Sequence, residues 1–374
     1  MRDANEKEQI SKTTSVSKLR SSLTKVLEAH EAEHHLVVLH DYPDPDAISS
    51  AYAHKLISTR FDIEVDIVYN GKISFQQNIA MVRLLKIDLL HYDEALNLEQ
   101  YHGAIFVDNQ GTTAEEITQA LEVAGVPPLI VVDHHEQQER LEPEFCDIRR
   151  TGSVATIYTQ YLREGLLELD KSRQEHIMAA TALVHGIMTD TGGFIQADAE
   201  DFEAVAFLSQ FRDPDLLGQI MSQARTKHEM EIIRRALGGR VTAESFSIAG
   251  IGYLRAEDRD AIPQAADFLL TEENIHTAIV YGIVTNPDQG EVLIGSLRTS
   301  KITLDPDKFI KETFGKSESG NYFGGGKMLA GGFEIPVGFL SDGGADETYR
   351  DLKWQVYDQQ IKQKIFAKIG VEPH

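Results

Sequence analysis

Apolar residues in the first half of the chain fall in short unbroken runs, Leu36-Val37-Val38-Leu39, Ala104-Ile105-Phe106-Val107 and Leu129-Ile130-Val131-Val132. Runs of this length read as buried strands. Together with a fourth segment they predict strands over 36–40, 64–69, 103–108 and 129–133. Between them the apolar positions recur at helical spacing, which predicts helices over 47–60, 113–124 and 153–164. Such alternation predicts an α/β domain, a parallel sheet wrapped by helices. Ahead of it, Val16, Leu19, Leu23 and Leu27 mark one face of an amphipathic helix, and residues up to about Ser15 read as disordered. A longer helical stretch, 172–188, runs into Thr189-Asp190-Thr191-Gly192-Gly193-Phe194.

A second pattern begins near Arg240. Strand-like runs at 245–254, 277–285 and 291–299 surround a helix near 258–271. A helix from Asp305 to Phe314 then precedes the glycine-rich segment 324–332, and a last helix over 346–369 carries Trp354, Tyr357, Ile361 and Ile365 on one stripe. At 374 residues the chain is long for one core. The expected organisation is a tail and helix (1–30), a parallel-sheet α/β domain (31–198), a helical connector (199–237), a smaller α/β domain (238–345) and a C-terminal helix (346–374).

Composition narrows the class. A net charge of −23 argues against a basic face for long nucleic acid. The single cysteine, Cys146, forms no internal disulfide and suits a reducing compartment. Met1 to Lys12 is polar and charged, unlike a signal peptide, and no run of 18 apolar residues appears. A cytoplasmic protein with no membrane partner is the expectation. A homodimer is compatible with the sequence.

The candidate chemistry sits where strands end. His40, Asp44 and Asp46 follow the first run, Asp108 ends the third strand, and Asp133, His134 and His135 end the fourth. Asp190 closes the long helical stretch. Ligands bind beyond the strand ends of open α/β sheets. Crowded carboxylates repel unless a cation lies between them. Carboxylate oxygens with imidazole nitrogens suit Mn²⁺, with Mg²⁺, Co²⁺ or Zn²⁺ as alternatives. The set offers more groups than one ion needs, so two divalent ions are expected, able to activate a shared water.

These motifs, in this order, resemble the DHH phosphoesterase superfamily. The matching residues are His-x-x-x-Asp-x-Asp at 40–46, Asp108, Asp-His-His at 133–135 and Thr-Asp-Thr-Gly at 189–192. Ser296-Leu297-Arg298-Thr299 and the 324–326 glycines resemble the DHH-associated substrate domain. In detail the chain is similar to RecJ-related nano-RNases, which degrade very short oligonucleotides and dephosphorylate 3′-phosphoadenosine 5′-phosphate. The resemblance implies one ion on His40, Asp44, Asp108 and Asp190, and a second on Asp46, Asp108, His134 and Asp190. It implies that His135 faces the substrate phosphate, that Asp133 orients an imidazole, and that Arg298, Gly324, Gly325 and Gly326 hold the far end of the substrate. It also implies a site in a cleft between the two domains. Lys327 stands where the family usually has histidine; a lysine can contact phosphate as a point charge.

The nearest enzymatic alternatives are a manganese-dependent inorganic pyrophosphatase, whose Ser-Arg-Lys signature is absent here, and a linear or cyclic dinucleotide phosphodiesterase. A nucleotide-binding regulatory module is the non-enzymatic alternative, disfavoured because no ligand position is lost. Of the other histidines, His34, His35, His54, His91, His102 and His176 read as surface residues and His185 as a packing residue.

Overall fold

The structure, a computed structural model, describes residues 2–73, 75–286, 290–317, 319–327, 329–338 and 347–371; for residues 2–15 and 286 it describes the backbone alone. Met328 of the glycine-rich segment lies outside the described residues. The chain divides into two compact units, Met1–Gln223 and Ala224–His374.

In the first unit the order is α1 (Arg2–Ala29), β1 (His34–Val38), α2 (Pro45–Ser58), β2 (Glu64–Tyr69), α3 (Gln76–Leu84), β3 (Leu90–His91), β4 (Gly103–Val107), α4 (Glu115–Ala124), β5 (Pro128–Asp133), β6 (Phe145–Ile148), α5 (Val154–Arg163), α6 (Gln174–Asp190), α7 (Ala199–Leu208) and α8 (Pro214–Met221). The sheet runs β3-β2-β1-β4-β5-β6 and every pairing is parallel. Side chains alternate between its faces. Val37, Leu39, Ile105, Val107, Ile130 and Val132 enter one core beneath α1, α2, α5 and α6. Leu36, Val38, Ala104, Phe106 and Val131 enter the other, with Ile117 and Leu121 of α4. Both faces are covered, so the strands read as continuous apolar runs.

Helix α1 starts at Arg2, so the stretch up to Ser15 is helical rather than disordered. Glu, Lys and Gln are good helix formers and need no apolar partner to extend a helix anchored further on. Leu23 and Leu27 provide that anchor and are fully buried.

The second unit contains α9 (Lys227–Gly239), β7 (Arg240–Ala243), β8 (Phe246–Arg255), α10 (Ala261–Leu269), β9 (Thr277–Asn286), β10 (Gly290–Thr299), α11 (Pro306–Phe314), β11 (Gly324–Lys327), β12 (Ala330–Pro336) and α12 (Glu347–Ile369). Its sheet, β11-β12-β10-β9-β8-β7, is mixed, with β8–β9 the only parallel pairing among the described strands. Ala278 and Val280 face a core with α9 and α10. Ile279, Tyr281 and Ile283 face one with α11 and α12. The stretch 199–237 is therefore shared out: α7 and α8 lie in the first unit, and α9 packs Ile232, Ile233 and Ala236 into the second. The terminal helix is likewise part of the second unit's core, through Ile361, Ile365 and Phe366.

Candidate metal centre

Because all six strands of the first sheet are parallel, their C-terminal ends share one edge. Strand order reverses between β1 and β4, and a crevice opens at such a switch point. His40 follows β1, Asp108 follows β4, and Asp133 ends β5. Asp108 adopts a left-handed backbone, φ +55°, which an aspartate tolerates better than most residues. Two helices bring the remaining groups. Asp44 is the N-cap of α2, its Oδ1 accepting the Ala47 amide at 3.0 Å. Asp190 is the last residue of α6.

Ligand atoms of His40, Asp44 and Asp108 lie within 4.8 Å of one another, as do those of Asp46, His134 and Asp190, and those of Asp108, His134 and His135. Asp108 thus joins two clusters. Its Oδ2 is 3.7 Å from His40 Nε2, and its Oδ1 is 3.6 Å from His134 Nε2. Asp190 approaches His134, with Oδ2 3.4 Å from Nε2, but belongs to none of the groups that contain His40.

Local hydrogen bonds orient several of the candidate ligands. His134 Nδ1 lies 3.0 Å from the Thr151 carbonyl, so Nδ1 carries the proton and donates, and the Nε2 lone pair faces the carboxylates. Asp46 is fully buried, and its two oxygens accept the Val154 and Ala155 amides at 2.7 Å, on the first turn of α5. Asp133 Oδ1 accepts the amides of His134 and His135 and the ring Nδ1 of His135 at 2.9 Å; its Oδ2 accepts Gln110 Nε2 at 2.6 Å. His135 Nδ1 also lies 3.4 Å from Asp108 Oδ1, a charge contact, since its proton goes to Asp133. His135 Nε2 makes no hydrogen bond to the described residues, and the residue is half exposed.

Charge is crowded here. Burial, with Asp108 and Asp190 nearby, pushes Asp46 well above the usual carboxylate range. Burial also raises Asp108 and lifts Asp190 to about 7. Asp108 and Asp133 beside His135 push its imidazole up to about 10. Burial works against the charged form of Asp133, yet hydrogen bonds from His135 and Gln110 hold its pKa low. Asp108 Oδ1 is buried and accepts no hydrogen bond. A buried carboxylate oxygen without a donor, between imidazole lone pairs and other carboxylates, fits a divalent cation. The donor set of oxygens and imidazole nitrogens suits Mn²⁺ or its neighbours.

Several contributors carry no sequence signal. The α5 amides that hold Asp46 have no side-chain identity, although Ser153, which caps α5 by accepting the Thr156 amide, marks where they begin. Gln110 and Thr151 act only through the fold. Gly186 lets α6 press on α2: a Cβ there would lie 2.4 Å from Ser49 Oγ and 3.2 Å from the Asp46 Cα. Three histidines read as surface residues are buried. His35 sits in β1, His54 bonds Tyr158 Oη from α2, and His176 lies in α6. Helical and strand periodicity place a histidine on a face without saying that the face is covered. His185 is buried, as a packing histidine should be.

In the second unit Arg298, Gly324, Gly325, Gly326 and Lys327 line one groove of about 830 Å³. The glycine run is strand rather than turn, β11 paired with β12 at the sheet edge. Packing alone demands part of it: a Cβ on Gly324 would meet the Gly332 carbonyl at 2.1 Å, and one on Gly326 the Pro306 Cβ at 2.8 Å. The Gly326 amide is taken by Asp307 Oδ1 at 3.2 Å. Arg298 pairs with Asp267 at 3.0 Å and donates to Ser296 Oγ. Lys327 is exposed and pairs with no described residue.

Fold and site together define a doubly wound α/β domain with a carboxylate–imidazole cluster, a candidate metal centre, at its switch point. Residues 35–187 match the DHH family, N-terminal domain. Over 340 residues, 90% of this chain, it is 33% identical to the uncharacterized protein MJ1633 of Methanocaldococcus jannaschii, and it spans 64% of that relative's length. In structure it is similar to an exopolyphosphatase-related protein from Bacteroides fragilis, with a TM-score of 0.65, 17% identity, and coverage of 92% of this chain and 98% of that one. This second likeness is one of fold.

Proposed function

We propose that the protein is a metal-dependent phosphoesterase that hydrolyses very short oligonucleotides or a small nucleotide such as 3′-phosphoadenosine 5′-phosphate. The observation that carries this reading is Asp108: a buried carboxylate whose two oxygens face two separate ligand clusters at the strand ends. The match of residues 35–187 to the DHH family, which includes metal-dependent phosphoesterases, supports it.

His40, Asp44 and Asp108 would hold one ion, and Asp46, His134, Asp190 and Asp108 a second. When bound, such ions withdraw charge from phosphate oxygens and acidify water. The residues do the rest. Thr151 keeps His134 in the tautomer that presents Nε2. The α5 amides orient Asp46. Asp133 holds His135 by Nδ1, so that the outward Nε2 donates to a phosphate oxygen, with Asp108 and Asp133 favouring its protonated form. In the second unit Lys327, as a groove cation with no partner among the described residues, is the stronger candidate for an anionic end of the substrate, ahead of the Asp267-paired Arg298.

The net charge of −23 argues for short substrates, because holding a long strand needs a basic track. The test compares kcat/KM with Mn²⁺ on RNA of two, three, five and twenty-four nucleotides at two salt concentrations, with pyrophosphate and 3′-phosphoadenosine 5′-phosphate alongside. The expected result is a steep fall beyond a few nucleotides and weak salt dependence. Equal rates on the longest RNA would replace this reading with a processive exonuclease, and turnover of pyrophosphate alone would replace it with a pyrophosphatase.

A further inference from the structure

The N-terminal end of β1, opposite the end that carries His40, holds a second group of ligating side chains. His30 follows α1, Glu33 lies in the turn before β1, and His35 is the second residue of the strand. His30 Nδ1 lies 2.8 Å and His35 Nε2 3.1 Å from the same oxygen, Glu33 Oε2. Donor atoms of all three residues lie within 4.8 Å of one another. Five residues of extended chain, roughly 16 Å, separate His35 from His40, so this group is distinct from the metal centre.

One further observation points to a cation. His30 Nε2 lies 3.2 Å from Glu144 Oε2, on the far side of the ring from Glu33. In the metal-free fold both ring nitrogens donate to carboxylates; a cation that takes the place of the Nδ1 proton would leave Nε2–H on Glu144, which is the carboxylate–histidine–metal arrangement. His35 is fully buried, and its Nε2 is directed into the cluster. Zinc takes imidazole nitrogen and carboxylate oxygen at about 2.0–2.1 Å in a tetrahedron, which sets neighbouring donors roughly 3.3 Å apart. The two spacings to Glu33 need to open by only a few tenths of an ångström.

We propose that His30, Glu33 and His35 form a structural site for a zinc-class divalent cation, with Glu144 fixing the tautomer of His30. A cation there joins the end of α1, the start of β1 and the segment before β6. It stabilises the folded chain by mass action and takes no part in the reaction at the other end of the strand.

The test measures bound Zn²⁺ per chain by equilibrium dialysis of metal-stripped full-length protein, in the wild-type and Asp108→Ala backgrounds. In both, Glu33→Gln is expected to lower the count by one. Glu144→Gln is expected to keep that ion but to weaken its affinity about ten- to a hundredfold. Zn²⁺ should raise the Tm of Asp108→Ala more than that of Asp108→Ala/Glu33→Gln. Equal counts with and without Glu33→Gln would overturn the site and leave a protonated His30 clamped between two glutamates. Should Asp108→Ala not fold, the wild-type comparison decides alone.

Discussion

Asp108 has a left-handed backbone, a buried side chain and an oxygen with no donor, three costs that a bound cation offsets at one point. Asp108→Asn tolerates the same backbone but removes the charge. It is expected to lower metal occupancy and to reduce kcat by on the order of 10² to 10³, with Tm nearly unchanged. Asp93→Ala, at an exposed turn, should change stability by no more than about 0.5 kcal/mol and leave turnover intact. Near-normal activity with full occupancy in Asp108→Asn would remove it from the centre. Asp190 sets the pH response. Its pKa in the metal-free fold is raised to about 7 from the ordinary 3.8. Its contribution to metal-free stability is thus present below the unfolded value and is lost as pH rises through about 7. Metal binding needs the deprotonated form, so the Mn²⁺-induced rise in Tm should be larger at pH 8 than at pH 6, and isothermal titration at pH 6 should show proton release. A rise that is independent of pH would show that Asp190 is ionised before metal arrives. At this scale the ligand types and their order were legible in the sequence. The hydrogen bonds that aim them were not, because Gln110, Thr151 and the α5 amides are ordinary residues until the chain folds.

At the scale of elements, α2 and α6 cross where Gly186 meets Ser49, and that crossing carries Asp190 to Asp46 and His134. Gly186→Ala inserts a methyl group against Ser49 Oγ and the start of α2, an overpacking that costs about 1–3 kcal/mol. In a unit of this size that lowers Tm by roughly 2–12 °C, and Mn²⁺ affinity should fall with it. Ser49→Ala removes the nearest atom, so the double variant is expected to recover part of both losses. No recovery would mean that the Pro45 carbonyl and the Asp46 backbone, rather than Ser49, limit the crossing. The strands of the first sheet were readable because both faces are buried and leave long apolar runs. The elements not predicted were short or peripheral: β3 has two residues, β6 four, and α3 has Ile79 exposed beside its few buried positions, with exposed Phe75 just before it. The edge hairpin β11–β12 was hidden by its glycines, which carry no periodic side chain and owe their identity to the tight fit against α11.

The whole molecule is two units, each with its own sheet and core. A fragment of residues 1–223 is expected to fold cooperatively and to bind Mn²⁺ as the full chain does, while hydrolysing short substrates at under about a tenth of the full rate if the second unit holds their far end. A fragment as active as the full chain would show that it does not. A cut after residue 237 should instead aggregate, because it strands Ile232, Ile233 and Ala236 of α9 without the core they pack in. Among the described residues no helix is long and apolar enough to cross a membrane. The sequence by itself determined the alternation of strand and helix, the presence of two units and the candidate metal-ligating residues, because each is written in local periodicity or in residues with few other uses at a strand end. Tertiary structure alone decided that α5 donates to Asp46, that Asp108 and not Asp190 joins two clusters, and that His30, Glu33 and His35 converge. These depend on which backbone groups and rings meet across the fold, and spacing along the chain does not encode that.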